Sequence, residues 1–186
     1  MVHRIRRVVT GHDKNGKSVF VMDGKAPNVL EMASMPGVAL TDIWRTKSSP
    51  ASNSGNADAA TGKIVLEPPA SGTILRIVEF PPDSKWRKSA DAKKAFASIG
   101  AGGAPDHGSS DAMMHATATV DYIIVLKGEI WAILDKGEKL LKQGDVLIQR
   151  GTNHSWSVRT RQPAIVAAVL IGARPVGRLT KRSKKR

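Results

Sequence analysis

Four side chains able to move a proton or hold a ligand fall close together in the second half of this 186-residue chain: His115, Thr117, Asp121 and His154. Imidazoles and carboxylates are the groups most readily tuned to exchange protons near neutral pH. Cysteine is absent, which rules out a disulfide frame, a thiolate metal site and a Cys nucleophile. Any metal would have to be held by His, carboxylate or hydroxyl groups. Residues 115, 117, 119, 121, 123 and 125 share one parity, so an unbroken strand turns His115, Thr117 and Asp121 to one face together with Ile123 and Val125. Polar groups above apolar neighbours on an interior face suit the wall of a small-molecule pocket. Gly151 helps the chain carry His154 across to the same interior.

Other side chains are candidates around this group. His107 lies in the loop that leads into the strand bearing His115; it either caps the pocket and donates a proton or is a solvated loop residue. Trp131 and Trp156 supply aromatic walls for a flat ligand or pack in the core. Arg76 and Arg150 pair with a substrate carboxylate or face solvent. Tyr122, of opposite parity to Asp121, reads as packing between layers, and Met113-Met114 as apolar filler beside the pocket entrance. Residues 11–18, Gly-His-Asp-Lys-Asn-Gly-Lys-Ser, match the phosphate-cradling pattern G-x-x-x-x-G-K-[ST]. That chemistry needs a helix to follow, whereas Val-Phe-Val-Met follows here, a strand sequence after an Asn-Gly turn, so the match is rejected.

The elements that must position these residues are mostly strands. Runs at 4–10 and 18–22 flank the Asn-Gly and read as a hairpin. Ala39–Thr46 is extended and leads into 47–63, rich in Ser, Ala, Asn and Gly, which reads as a flexible loop with almost nothing to bury. Thr73–Phe80 is a strand closed by Pro81-Pro82. Residues 89–99, rich in Ala and Lys, form the one helix of any length, ending at Gly100. Short strands then follow at 116–126, 130–134, 139–141, 146–149, 155–158 and 164–171, joined by tight Gly- and Asp-containing turns. That spacing indicates an antiparallel sandwich or barrel.

A net charge of +13 suggests nucleic acid until it is located. Seven of the basic residues (Arg174, Arg178, Lys181, Arg182, Lys184, Lys185, Arg186) crowd the last fifteen positions with no acid among them, which reads as a solvated basic tail. Aromatics make up only 4% of the chain, and no nucleic-acid-binding motif is present, which argues against specific recognition. No run of about 20 apolar residues crosses a bilayer. The basic start lacks the apolar stretch of a secretory signal. The expectation is a cytoplasmic protein with no membrane partner.

Residues 115–129 and 144–156 together resemble the paired motifs of the cupin superfamily, in particular its small single-domain conserved barrels. The first motif there has two His one residue apart, then a Glu, then a Gly; the second has Gly-Asp, a Pro-Gly turn and a third His. On that resemblance His115 stands at the first His, Thr117 at the second, Asp121 at the Glu and His154 at the third His, with Gly128 and Gly144-Asp145 in their places. Two ligand positions are therefore altered, and Arg150 stands where Pro is usual.

The resemblance implies an all-β cupin jelly-roll (double-stranded β-helix) barrel with extra N-terminal strands and one short helix. Its parts would be N-terminal strands and loop at 1–63, the barrel at 64–172 and a disordered basic tail at 173–186. It implies one divalent metal (Fe, Mn, Ni or Zn) on His115, Asp121 and His154, with Asp121 or His107 as the catalytic proton carrier and Thr117, Arg150, Trp131 and Trp156 around the substrate. The function implied is an enzyme of oxygenase, decarboxylase, isomerase or lyase type acting on a small carbonyl, carboxylate or aromatic compound. The alternative is a metal-free barrel that binds a small organic ligand as sensor or carrier. A homodimer built through the N-terminal strands is also expected.

Overall fold

The computed structural model describes residues 2–106 and 108–175. The basic tail from residue 176 onward and His107 lie outside the described residues.

Among the described residues eleven strands form three sheets, accompanied by one short α-helix. Strands β1 (Arg6–His12) and β2 (Ser18–Lys25) pair antiparallel as the Asn-Gly turn requires, with Gly16 at φ +76° in the turn. Ser18 opens a strand rather than a helix, so the phosphate-loop pattern has no phosphate-binding geometry here. The main sheet runs β3 (Val29–Glu31), β4 (Ala39–Thr46), β5 (Thr73–Phe80), β11 (Ala164–Gly172), β6 (Thr119–Lys127), β9 (Val146–Arg150), every neighbour antiparallel. A smaller sheet runs β10 (His154–Ser157), β7 (Glu129–Leu134), β8 (Glu138–Lys142). The two sheets share one apolar core, in which Ile123 and Val125 of β6, Ile130 and Ala132 of β7, Leu141 of β8 and Val166, Ala168 and Leu170 of β11 meet. This is a jelly-roll barrel.

A second apolar cluster covers one end of the barrel. It joins Met32, Met35 and Val38 of the β3–β4 connection to Phe96 and Ile99 at the end of the chain's helix, α1 (Ala92–Ser98), with Trp86 and Met113. The helix starts where the Asp91 carboxylate accepts the Lys94 amide, an N-cap that satisfies one of the free first-turn donors. Among the described residues no helix is long and apolar enough to cross a membrane.

Three expectations change. Strand β6 begins at Thr119, so His115 and Thr117 precede the regular strand. Tyr122 is 42% exposed on the outer face of the sheet instead of between layers. The 47–63 segment has no regular secondary structure, yet it is anchored: Arg7 of β1 holds Asp58 through two hydrogen bonds, 2.8 and 2.5 Å, and Ala60 is fully buried. Composition missed this because the anchoring groups lie far away in sequence.

One glycine fixes a close approach beside the site-bearing strand. Gly128, between β6 and β7, has φ +74°, and a Cβ there would stand 2.7 Å from the Pro163 carbonyl oxygen. Both the backbone conformation and the space demand glycine.

Candidate functional site

Beneath the Met32, Met35 and Phe96 cover, a cavity of about 140 Å³ extends into the barrel. Its wall is mainly apolar, and its polar groups are His115, Thr117, Asp121, His154 and Arg76.

His115 arrives on the loop after α1. Arg87 holds Asp111 at 2.6 Å, and Asp111 in turn accepts the Met113 amide, which sets the turn just before His115. The His115 backbone then forms an isolated bridge with His154, the first residue of β10: each amide donates to the other's carbonyl, at 2.9 and 2.8 Å. This brings the two imidazole centroids to 4.3 Å. Nδ1 of His115 lies 2.9 Å from the Met113 carbonyl oxygen, and Nδ1 of His154 lies 2.9 Å from that of Thr152. A carbonyl only accepts, so in the neutral rings Nδ1 carries the hydrogen and Nε2 carries the lone pair. Burial pushes the His154 pKa down to about 3, with the neighbouring His115 adding to the effect. Burial also lowers His115, against the opposing pull of the Met113 carbonyl and Asp111. Both rings are neutral at physiological pH.

Asp121 faces the same cavity from β6, as the period-two pattern requires: Thr119, Asp121, Ile123 and Val125 are buried while Tyr122 is exposed. Its side chain is 5% exposed, and Oδ1 has no hydrogen-bond partner. Burial pushes its pKa up to about 6, helped by Glu67 and opposed by the Thr119 hydroxyl and by Arg76. Thr117 reaches the cavity as well, its hydroxyl 2.7 Å from that of Thr119.

Arg76 lines the cavity but is already engaged. Its Nε donates to Asp42 Oδ1 at 2.6 Å, and its Nη2 to Asp42 Oδ2 at 3.2 Å and to the Val65 carbonyl at 2.6 Å. Arg45 donates to the same carboxylate at 2.8 Å. Arg76 is therefore buried in an ion pair with Asp42 rather than solvated.

Of the remaining expected site residues, Trp156 lines the cavity, whereas Trp131 and Arg150 do not. Ile130 and Ala132 take the inward positions of β7, so Trp131 points outward and packs under the Arg159 guanidinium, 4.4 Å from its ring centroid. On β9 the inward position belongs to Gln149, directly opposite Asp121, and Arg150 is exposed. The residues missed by sequence reading are the cover: Met32, Met35 and Val38, together with Phe96. Phe96 and Ile99, three apart, gave the helix a visible apolar side, but nothing local shows that this side closes a cavity. With Phe96 in place, a row of rings crosses the site: Phe96 to His115 at 4.7 Å, His115 to His154, His154 to Trp156 at 5.7 Å and Trp156 to Phe80 at 6.5 Å.

The donor set bears on the metal that the resemblance implies. Two neutral imidazoles whose Nδ1–H groups are tied to carbonyls have fixed ring orientations and a free Nε2, as metal-binding histidines do. A catalytic centre ordinarily takes three protein ligands. Among the described residues no three His, Cys, Asp or Glu side chains converge closely enough to hold an ion, and Thr117 stands at the remaining motif position. Among the described residues the arrangement offers two imidazoles and no third His, Cys, Asp or Glu converged with them.

Comparison with known proteins agrees with the fold. No family model matches the chain. Phomopsin biosynthesis cluster protein C' of Diaporthe leptostromiformis is 32% identical over 161 residues, which cover 83% of this chain and 70% of that protein. The cupin-domain-containing oxidoreductase virC of Hypocrea virens is 28% identical over 182 residues, 94% of this chain and 79% of its own. Among solved structures, the cupin domain of Schizosaccharomyces pombe Cnp3 covers 97% of this chain and 96% of its own, with 11% identity and a TM-score of 0.45. The chain belongs to the cupin superfamily.

Proposed function

We propose that this protein is a cupin enzyme that moves a proton on a small organic molecule held in the barrel cavity, with Asp121 as the base. The observation that carries this reading is a buried carboxyl with an unpartnered oxygen on the wall of a mainly apolar cavity. A group whose pKa lies just below the working pH is ionised enough to accept a proton and acidic enough to return it. Asp121, at about 6, meets that condition. The step is balanced without an electron acceptor: a C–H bond beside a carbonyl breaks, the proton goes to Asp121, and the same proton is delivered to another atom of the substrate, giving an isomer. His115 and His154 remain neutral and accept hydrogen bonds through Nε2, holding the substrate while the proton moves. Proton removal is also a part of the oxidations from which relatives such as virC take their name.

The test is solvent-deuterium exchange into small carbonyl compounds, with 2-hydroxycyclohexanone, which brings an O–H to the Nε2 acceptors, beside cyclohexanone, followed by NMR. Wild type speeds exchange with a rate that rises through pH 6, and Asp121→Asn lowers it by about a hundredfold or more. An unchanged rate in Asp121→Asn would remove the reading. A second reading is favoured by the apolar wall and the shortage of metal ligands: a barrel that binds its ligand without turning it over. Binding without exchange in wild type would select it.

A further inference from the structure

The cavity's size, wall and polar groups together restrict what it can hold. An apolar protein cavity of about 150 Å³ takes up benzene, so a space of about 140 Å³ accommodates one six-membered ring. Phe96, His115, His154 and Trp156 form the continuous row of rings along its wall, with Met32 and Met35 in the cover. Aromatic and thioether groups favour a flat, polarisable guest.

The charged groups exclude a class that the sequence left open. Among the described residues Arg76 is the only Lys or Arg on this wall; it is ion-paired with Asp42, its Nε and Nη2 donating to Asp42 and the Val65 carbonyl. A carboxylate entering the cavity would meet a guanidinium already paired with Asp42 and would face the Asp121 carboxyl in a desolvated space, where like charges repel strongly. Apart from the Thr117 hydroxyl, which is paired with that of Thr119, the polar groups left over want a donor. Nε2 of His115 and of His154 bears a lone pair, and Asp121 Oδ1 is a buried oxygen without a partner. A buried acceptor without a donor is costly, so a guest that brings an O–H relieves it.

Resting on the proton-transfer reading of the same site, we infer that the substrate is an uncharged, single-ring carbonyl compound that also carries a hydroxyl group, phenol-like in size. It lies along the row of rings from Phe96 to Trp156 and donates its O–H to the acceptors on His115, His154 and Asp121.

Binding of phenol, toluene, benzoate and 2-naphthol to the full chain, measured by NMR titration, tests this without turnover. Phenol binds at least tenfold more tightly than toluene, which lacks the donor, and than benzoate, which adds charge; 2-naphthol is excluded from wild type. Phe96→Ala enlarges the cavity, and 2-naphthol then binds, a gain that a misfolded variant cannot produce. The inference is overturned if benzoate or toluene matches phenol, if 2-naphthol enters wild type as well as phenol does, or if none of the four binds. Its failure is separable from that of the proton-transfer reading. Phenol selectivity with no deuterium exchange leaves the inference standing and removes the enzyme; exchange confined to compounds without ring or hydroxyl does the reverse.

Discussion

His115 and His154 are joined twice: two reciprocal backbone hydrogen bonds, 2.9 and 2.8 Å, hold the chain segments together, and the imidazoles they carry lie 4.3 Å apart. Neither ring can take a proton without placing a cation in a buried site beside the other. Charging them is therefore resisted by the fold, and acid must work against it.

For His154 the ordinary pKa of 6.5 falls to about 3 in the folded chain. A depressed folded value means that its contribution to stability is complete above 6.5 and is lost as pH falls toward 3. The loss is on the order of 4 kcal/mol across that window. Urea unfolding at pH 7, 5 and 4 checks this. His154→Gln, with no titrating ring, gives a shallower decline than wild type, and parallel curves would discard the explanation.

Asp121 has the opposite sign. Its folded value is raised from 3.8 to about 6, so the cost of burying its charge is absent below 3.8 and complete above about 6, on the order of 3 kcal/mol. Asp121→Asn is accordingly more stable than wild type at pH 8, and the difference closes by pH 4, as read from denaturant midpoints at the two pH values. A variant equally stable to wild type at pH 8 would show that the carboxylate is solvated. Stability and turnover are thus expected to move in opposite directions on one substitution, as is common where a site holds a group the core would prefer to lack.

Asp42 is wholly buried and answers two guanidiniums, those of Arg76 and Arg45. Removing it leaves Arg76 charged and unpaired in the interior, so Asp42→Ala costs about 3–5 kcal/mol. Arg76→Met added to that variant restores part of the loss, because the stranded charge goes with it. Thermal or urea unfolding of the single and double variants decides the matter; a single-variant cost below about 1 kcal/mol would mean that water reaches the pair.

The shortage of ligands makes a prediction about metal. Protein purified without chelator and supplied with Fe, Mn, Ni or Zn holds no stoichiometric ion by elemental analysis, since two imidazoles bind a divalent cation weakly without a third ligand. A near-stoichiometric ion that disappears in His154→Ala would show that Asp121 or Thr117 swings in to complete a centre.

Much of the barrel was legible because its strands alternate cleanly. Thr73–Phe80 is bounded as read, the Asn-Gly hairpin is present, and the inward positions of β6 follow parity from Thr119 to Val125. The same rule, applied to Ile130 and Ala132, would have turned Trp131 outward; an aromatic residue near the motif drew attention that parity did not support. Arg76 was ambiguous for another reason. Its partner Asp42 is a neighbour only through the β4–β5 register, which no local pattern reveals. The cover of the cavity was illegible for the same cause, since Met32 and Phe96 meet only after the barrel has formed.

The cavity wall runs in sequence from Met32 to Leu170, nearly the full described chain, and the His115–His154 clasp is itself a long-range contact. Contacts of this kind form late and together, and they slow folding compared with local ones. No early-forming fragment can hold a partial version of the site, so assembly of the pocket and completion of the native state are a single event. A guest that occupies the pocket is thereby coupled to global unfolding, and its affinity is readable as an upward shift in the melting temperature of the entire chain.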